Sequence, residues 1–234
     1  MIPGAAAQEE KEETVAEGTL VVTAHQTAGR GQRGNRWETA PDQNLTFSVL
    51  LRPTFLRATD QFSLSIAVAL GVYETLREHL DEARLRLKWP NDVYVGDQKL
   101  GGLLLENTLH GYGLGHSIVG IGLNINQTEF PIPKATSLRS ATGQPFRYDL
   151  ESLLARLLEH LEAEYLRLRG GGKATQKARY LATLYRYQEW HLFRLPDGRA
   201  FNGQILGVDD AGKLALETEG GLRYFGMKEV EFVG

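Results

Sequence analysis

The 234-residue sequence contains no cysteine, which excludes disulfide bonds, a thiolate nucleophile and any cysteine-based zinc site. It has no apolar run of membrane-spanning length, and its first residues are small and acidic rather than basic and apolar. It also lacks a basic excess: 26 Lys and Arg stand against 29 Asp and Glu, a net charge of −3. That balance argues against nucleic acid as the main partner, and the lack of a spanning run against a membrane. The expectation is a soluble cytoplasmic protein whose local cationic clusters serve a small anionic ligand. No internal repeat is visible, and the acidic Gln8–Glu13 stretch carries no chemistry of its own.

Such a cluster lies in Gly29-Arg-Gly-Gln-Arg-Gly-Asn-Arg-Trp37, directly after the apolar strand Thr19–His25. Glycines at 29, 31 and 34 let backbone N–H groups approach a ligand, while Arg30, Arg33 and Arg36 bring donor forks suited to phosphate or carboxylate. The spacing imitates the dinucleotide fingerprint G-x-G-x-x-G, but that motif must open a helix. Here a polar turn follows, then the strand Leu45–Leu51, so the dinucleotide reading fails. Taken alone, the loop also fits a glycine hairpin with surface arginines.

Helical periodicity then runs from about Asp60 to Asp81, with Phe62, Ile66, Ala69, Leu70, Tyr73 and Leu76 on one stripe. Alternation predicts a strand over Leu85–Trp89, broken at Pro90, and a hairpin about Gly96-Asp97 with arms Val93–Val95 and Gln98–Glu106. A further strand spans His116–Asn126; its Gly120 and Gly122 signal close approach to the backbone. Residues 127–147 read as a long loop, Asp149 caps an amphipathic helix ending at Gly170–Gly172, and Ala174–Tyr187 predicts a second helix. Short strands separated by glycine turns follow from Gln188, the pattern of a small β-barrel. The domain break is expected at Tyr187, giving units 1–187 and 188–234.

Lys88-Trp-Pro-Asn-Asp92 ends a strand, and Pro90 forces a turn there. Pro-Asn-Asp is by itself a common turn, but a lysine fixed at a strand end can complete an anion site with Arg30. Together with the arginine loop, and with Gln26-Thr-Ala28, Lys99-Leu-Gly-Gly102 and Gly120-Ile-Gly-Leu-Asn124, this segment resembles the biotin–protein ligase family from about Glu17 to the C-terminus.

The resemblance implies an α/β (α+β) fold: a mixed sheet with packed helices, related to class II aminoacyl-tRNA synthetases, followed by a src-homology-3-like β-barrel. It implies that biotin and ATP, with magnesium, give biotinyl-5′-adenylate, and that a biotin carboxyl carrier protein then receives biotin on a lysine. By resemblance Arg30 and Lys88 are the catalytic cations. Gln26, Gly29, Gly31, Gln32, Gly102 and Gly122, with those two, form the biotin side. Arg33, Trp37, Asn91, Asp92, Lys99 and Asn124 face the nucleotide. No separate protein-bound metal site is implied. Relatives commonly form homodimers, although one sequence names no interface.

Three departures carry expectations. The family's Ser-Thr-Asn segment, which holds the ureido ring of biotin, does not occur in this sequence, so the expectation is a misassigned or truncated start or a pocket lacking part of its biotin contacts. A DNA-binding winged helix before Gly18, and with it a repressor role, is not expected. Gln32 replaces an arginine of several relatives, predicting a working loop with weaker retention of the adenylate. Competing readings are a lipoate or octanoate transferase, a covalent lysyl-nucleotidyl transferase using Lys88, and a non-catalytic biotin or nucleotide sensor.

Overall fold

The computed structural model describes residues 15–26, 29–30, 36–37, 40–131 and 133–233, with only the backbone of residues 30 and 36. The largest sheet has six strands: β1 (Leu20–Val22), β4 (Asn44–Leu51), β5 (Leu85–Lys88), β6 (Asp92–Val95), β7 (Gln98–His110) and β8 (Gly113–Asn124). Two short strands, β2 (Gly29–Arg30) and β3 (Arg36–Trp37), pair with each other beside it. Strand order is β1-β4-β8-β7-β6-β5, and every pairing between named strands is antiparallel. The mixed sheet expected from the sequence is thus corrected. Consecutive strands β5 to β8 are joined by tight hairpins, which produce antiparallel neighbours without crossover helices.

Side-chain alternation splits this sheet into two unlike faces. Phe47, Val49, Val119, Ile121, Leu123 and Leu103 belong to the core, while Thr46, Ser48, Gly120, Gly122, Gly102 and Leu104 line a cavity on the other side. Helix α1 (Phe62–Leu76) packs on the core side. It is buried nearly all round, not along one stripe: Leu64, Val72 and Leu76 are all 0% exposed. The reason is a third layer, α3 (Leu150–Arg169) and α4 (Lys173–Ala182), which covers the back of α1. At Gly71 a Cβ would stand 3.0 Å from Leu161 Cα, so the α1–α3 crossing needs a glycine there. Burying each of Leu64, Val72 and Leu76 contributes about 1.5–3 kcal/mol.

Asp149 caps α3 as expected, its carboxylate accepting from the Ser152 N–H at 2.8 Å. Helix α4 stops five residues short of the predicted Tyr187, at Ala182. There Thr183 turns its hydroxyl back to the Tyr180 carbonyl, and the chain leaves to run beside β5: Leu87 N–H donates to Thr183 O at 3.0 Å, and Tyr185 N–H to Leu87 O at 2.8 Å. The long 127–147 stretch carries a short helix, α2 (Leu138–Thr142), and is tied down by paired bonds between Asn126 and Tyr148.

From Trp190 onward the chain forms a second sheet of β9 (Trp190–Arg194), β10 (Ala200–Val208), β11 (Leu214–Thr218), β12 (Gly221–Phe225) and β13 (Glu231–Phe232), again wholly antiparallel. Its apolar interior, including Phe193, Ile205 and Leu216, is continuous with the core around α1. Contact is specific as well: the buried Trp89 indole donates to the Gly212 carbonyl at 2.9 Å, and Lys173 and Lys177 both reach Asp210.

Candidate active site

A cavity of about 760 Å³ lies on the face of the six-stranded sheet opposite α1. Its floor follows from strand register. Thr46 stands opposite Gly122, Gly122 opposite Gly102, Gly102 opposite Asp92, and Asp92 opposite Lys88. One transverse row therefore brings the lysine, the acid and two bare backbone positions into line. A second row of Val21, Ser48, Gly120 and Leu104 continues the floor. Gln26 and Trp37 enter from the glycine–arginine segment, and Met227, Lys228, Val230, Glu231 and Phe232 form a wall from the C-terminal sheet.

Lys88 is the last residue of β5. Its ammonium donates to Tyr94 Oη at 3.1 Å and lies 4.4 Å from the Tyr94 ring centroid, 4.9 Å from that of Phe232 and 5.5 Å from that of Tyr185. Burial pushes its pKa down; Asp92 opposes this, while Arg186, Lys99 and Lys134 act with burial. Burial chiefly, then the Asp92 charge, pushes Tyr94 up to about 12, so it remains a neutral phenol that can accept from the lysine. Across the turn, Asp92 pairs with Lys99 at 2.6 Å. Asn91 is spent partly on architecture, because its amide donates to the Leu103 carbonyl and its own carbonyl accepts the Leu103 N–H.

Trp37 lies over Gly122: a Cβ at that glycine would stand 2.5 Å from the indole Cε2. The sequence expects biotin to use this bare backbone; the structure shows an indole making the close approach. Trp37 Nε1 and Thr46 Oγ1 are buried without a hydrogen-bond partner among the described residues. Such atoms cost free energy until something polar reaches them.

Of the residues singled out from the sequence, Gln26, Trp37, Lys88, Asn91, Asp92, Lys99, Gly102 and Gly122 all line this one cavity. Gly29 is buried beside it, paired with Trp37. Asn124 shares the cavity-side face with Gly122 but is covered by the 127–147 stretch, donating to the Thr136 carbonyl at 3.1 Å. The side chain of Arg30, together with Gly31, Gln32 and Arg33, lies outside the described residues. Sequence reasoning missed Tyr94, Tyr185 and the C-terminal wall. Tyr94 was findable, since it sits two residues beyond Asp92 on the same face of β6. Phe232 was not, because only the packing of the two sheets brings it to Lys88.

Among the described residues no group of three or more His, Asp or Glu is placed to hold a metal ion, and no helix is long and apolar enough to cross a membrane.

Comparison with known proteins gives the family to which the chain belongs. Residues 5–124 match the model of the biotin/lipoate A/B protein ligase family. The biotin–[acetyl-CoA-carboxylase] ligase of Paracoccus denitrificans is 32% identical over 92% of this chain and 90% of its own length. The bifunctional ligase/repressor of Bacillus subtilis is also 32% identical, but the chain spans only 66% of that relative's length. Among solved structures, biotin protein ligase from Aquifex aeolicus in complex with biotin and ATP superposes with a TM-score of 0.77 at 29% identity, covering 95% of this chain and 92% of that one. With half of its length under the family model and relatives of this similarity, the chain belongs to the biotin/lipoate A/B protein ligase family.

Proposed function

We propose that the chain is an ATP-dependent ligase that activates biotin as biotinyl-5′-adenylate and passes the biotinyl group to a lysine of a biotin carboxyl carrier domain. The observation that carries this reading is the transverse row Lys88–Asp92–Gly102–Gly122–Thr46, a cation at one end of a bare backbone floor. Relatives named as biotin ligases, and the Aquifex aeolicus complex with biotin and ATP, support the choice of substrates.

The chemistry explains the residue types. In the first step a biotin carboxylate oxygen bonds to the α-phosphorus, and the bond from that phosphorus to the bridging oxygen breaks, releasing pyrophosphate. Both reactants are anionic. Two unit charges about 4 Å apart repel by about 4 kcal/mol at an effective dielectric of about 20, so the site needs a fixed cation more than a base. Lys88 supplies it, with Arg30 from the loop. Asp92 holds Lys99 toward the nucleotide, and Trp37 covers the floor at Gly122. Magnesium enters with ATP as the substrate complex. In the second step the acceptor amine attacks the biotinyl carbonyl and AMP leaves.

The finer architecture belongs to the same reading. The catalytic unit, residues 1–187, is related to class II synthetases, and residues 188–234 form a src-homology-3-like barrel. Support for the barrel is that its last strand, β13, returns to pair with its first, β9. Biotin-dependent exchange of labelled pyrophosphate into ATP tests the function. Lys88→Ala should abolish exchange while leaving the far-ultraviolet spectrum intact; near-normal exchange refutes the assignment. Lipoate in place of biotin, in the same assay, separates the two acids in the family's name.

A further inference from the structure

Lys88 is held by more than its own strand. The three rings around its ammonium come from separate parts of the chain: Tyr94 from β6, Tyr185 from the segment that follows α4, and Phe232 from β13 at the far end of the sequence. The cage is braced from outside. Tyr185 Oη donates to Asp97 at 2.5 Å, and its backbone is bonded to Leu87, next to the lysine. Phe232 packs at 5.1 Å on the ring of Phe193, which is 0% exposed in the interior of the C-terminal sheet.

From this geometry we propose that Phe232 is a positioning residue for adenylate formation: through it the C-terminal sheet closes an aromatic cage that aims the Lys88 ammonium at the cavity. The proposal rests on the role given to Lys88 above. An ammonium on four methylenes is flexible, and one oxygen partner leaves most of its rotation free. Ring faces attract it without competing for the directional bonds that an incoming carboxylate or phosphate must accept. A carboxylate in the position of Phe232 would hold the lysine as firmly but would cancel its charge. An aromatic face keeps the cation both fixed and available. It also keeps water from the inner side of the ammonium, so the charge is felt more strongly on the cavity side.

The test compares Phe232→Leu, which keeps apolar bulk but removes the ring face, with Phe232→Tyr, which keeps the face. In the full chain, Phe232→Leu should slow single-turnover adenylate formation by about 3- to 30-fold, as expected for a desolvated cation–π contact, and Phe232→Tyr should restore at least half of the lost rate. A second readout is independent of turnover. In protein labelled with ¹³C-lysine, the Lys88 Hε resonance, assigned by its loss in Lys88→Arg, should be displaced upfield by ring currents and should move downfield in Phe232→Leu. Equal rates in all three proteins, equal losses in both variants, or an unmoved Lys88 resonance would overturn the proposal. If Lys88→Ala still exchanges pyrophosphate while the resonance moves as expected, the ligase role of Lys88 fails and the cage stands.

Discussion

Replacing Trp89 by phenylalanine tests how firmly the second sheet is attached. The indole is 3% exposed, and its N–H reaches the Gly212 carbonyl, at the β10–β11 turn, at 2.9 Å. Phenylalanine keeps an aromatic ring in place but cannot donate. The buried carbonyl then loses its partner, at about 1–3 kcal/mol. The missing part of the indole leaves space of roughly 30–40 Å³, which adds about 1 kcal/mol if the walls do not relax. The expected loss is therefore about 2–4 kcal/mol. With a denaturant slope of about 2–3 kcal/mol per molar, the urea midpoint should fall by about 1 M. Circular dichroism at several urea concentrations measures this directly. A loss below about 0.5 kcal/mol would show that the Trp89–Gly212 bond does not couple the sheets, and would remove the argument that they share one interior.

Other expectations follow from the same geometry. Lys99→Met should cut adenylate formation at least tenfold while costing about 1 kcal/mol or less in stability, because the Asp92–Lys99 pair is partly exposed; a stability loss as large as that of Trp89→Phe would refute a functional reading of the pair. Gly122→Val should drive the Trp37 indole off the floor, seen as a red shift in tryptophan emission; unchanged emission would contradict the packing. Burial raises the Glu164 pKa, but hydrogen bonds from Gln176, Arg179 and Arg167 outweigh it and leave it below the ordinary value of 4.5. Its folded pKa is thus the lower one, so its contribution is present above the unfolded pKa and disappears as pH falls through the folded value. Glu164→Gln should cost about 3 kcal/mol at pH 7, with the gap to the parent protein narrowing as the pH falls below the ordinary carboxylate value of 4.5. A gap independent of pH would refute the ion-pair explanation.

Much of this site was legible because its residues fall in short motifs, and because Lys88, Asp92, Lys99 and Gly102 are close neighbours in sequence. Period-two alternation marks β5, apolar runs mark β4 and β8, and Gly96-Asp97 marks the turn that joins β6 to β7. Once Lys88 and Asp92 flank a turn, their pairing is forced. What was not legible depends on layers. The α1 sequence is apolar nearly all round, which is the mark of a helix buried on every side, but reading one stripe captures only half of that and does not say that α3 and α4 form the covering layer. Likewise, Glu231-Phe232 is an ordinary apolar–polar alternation until β13 pairs with β9 and turns the ring toward Lys88. The mixed sheet came from the family resemblance, whereas the hairpin about Gly96-Asp97 already pointed to antiparallel neighbours, as the structure has them.

The segment from Thr183 to Tyr185, bonded along β5, has a consequence outside catalysis. β5 is the last strand of the large sheet, and a bare last strand is a template for unwanted pairing with other chains. By lying along it on the way to the second sheet, this short stretch caps the row of backbone groups that would otherwise recruit a neighbour. Cutting the chain just before it would therefore do more than delete a domain: it would turn a closed margin into an adhesive one, and the shortened protein should be lost to aggregation before any defect in chemistry could be measured.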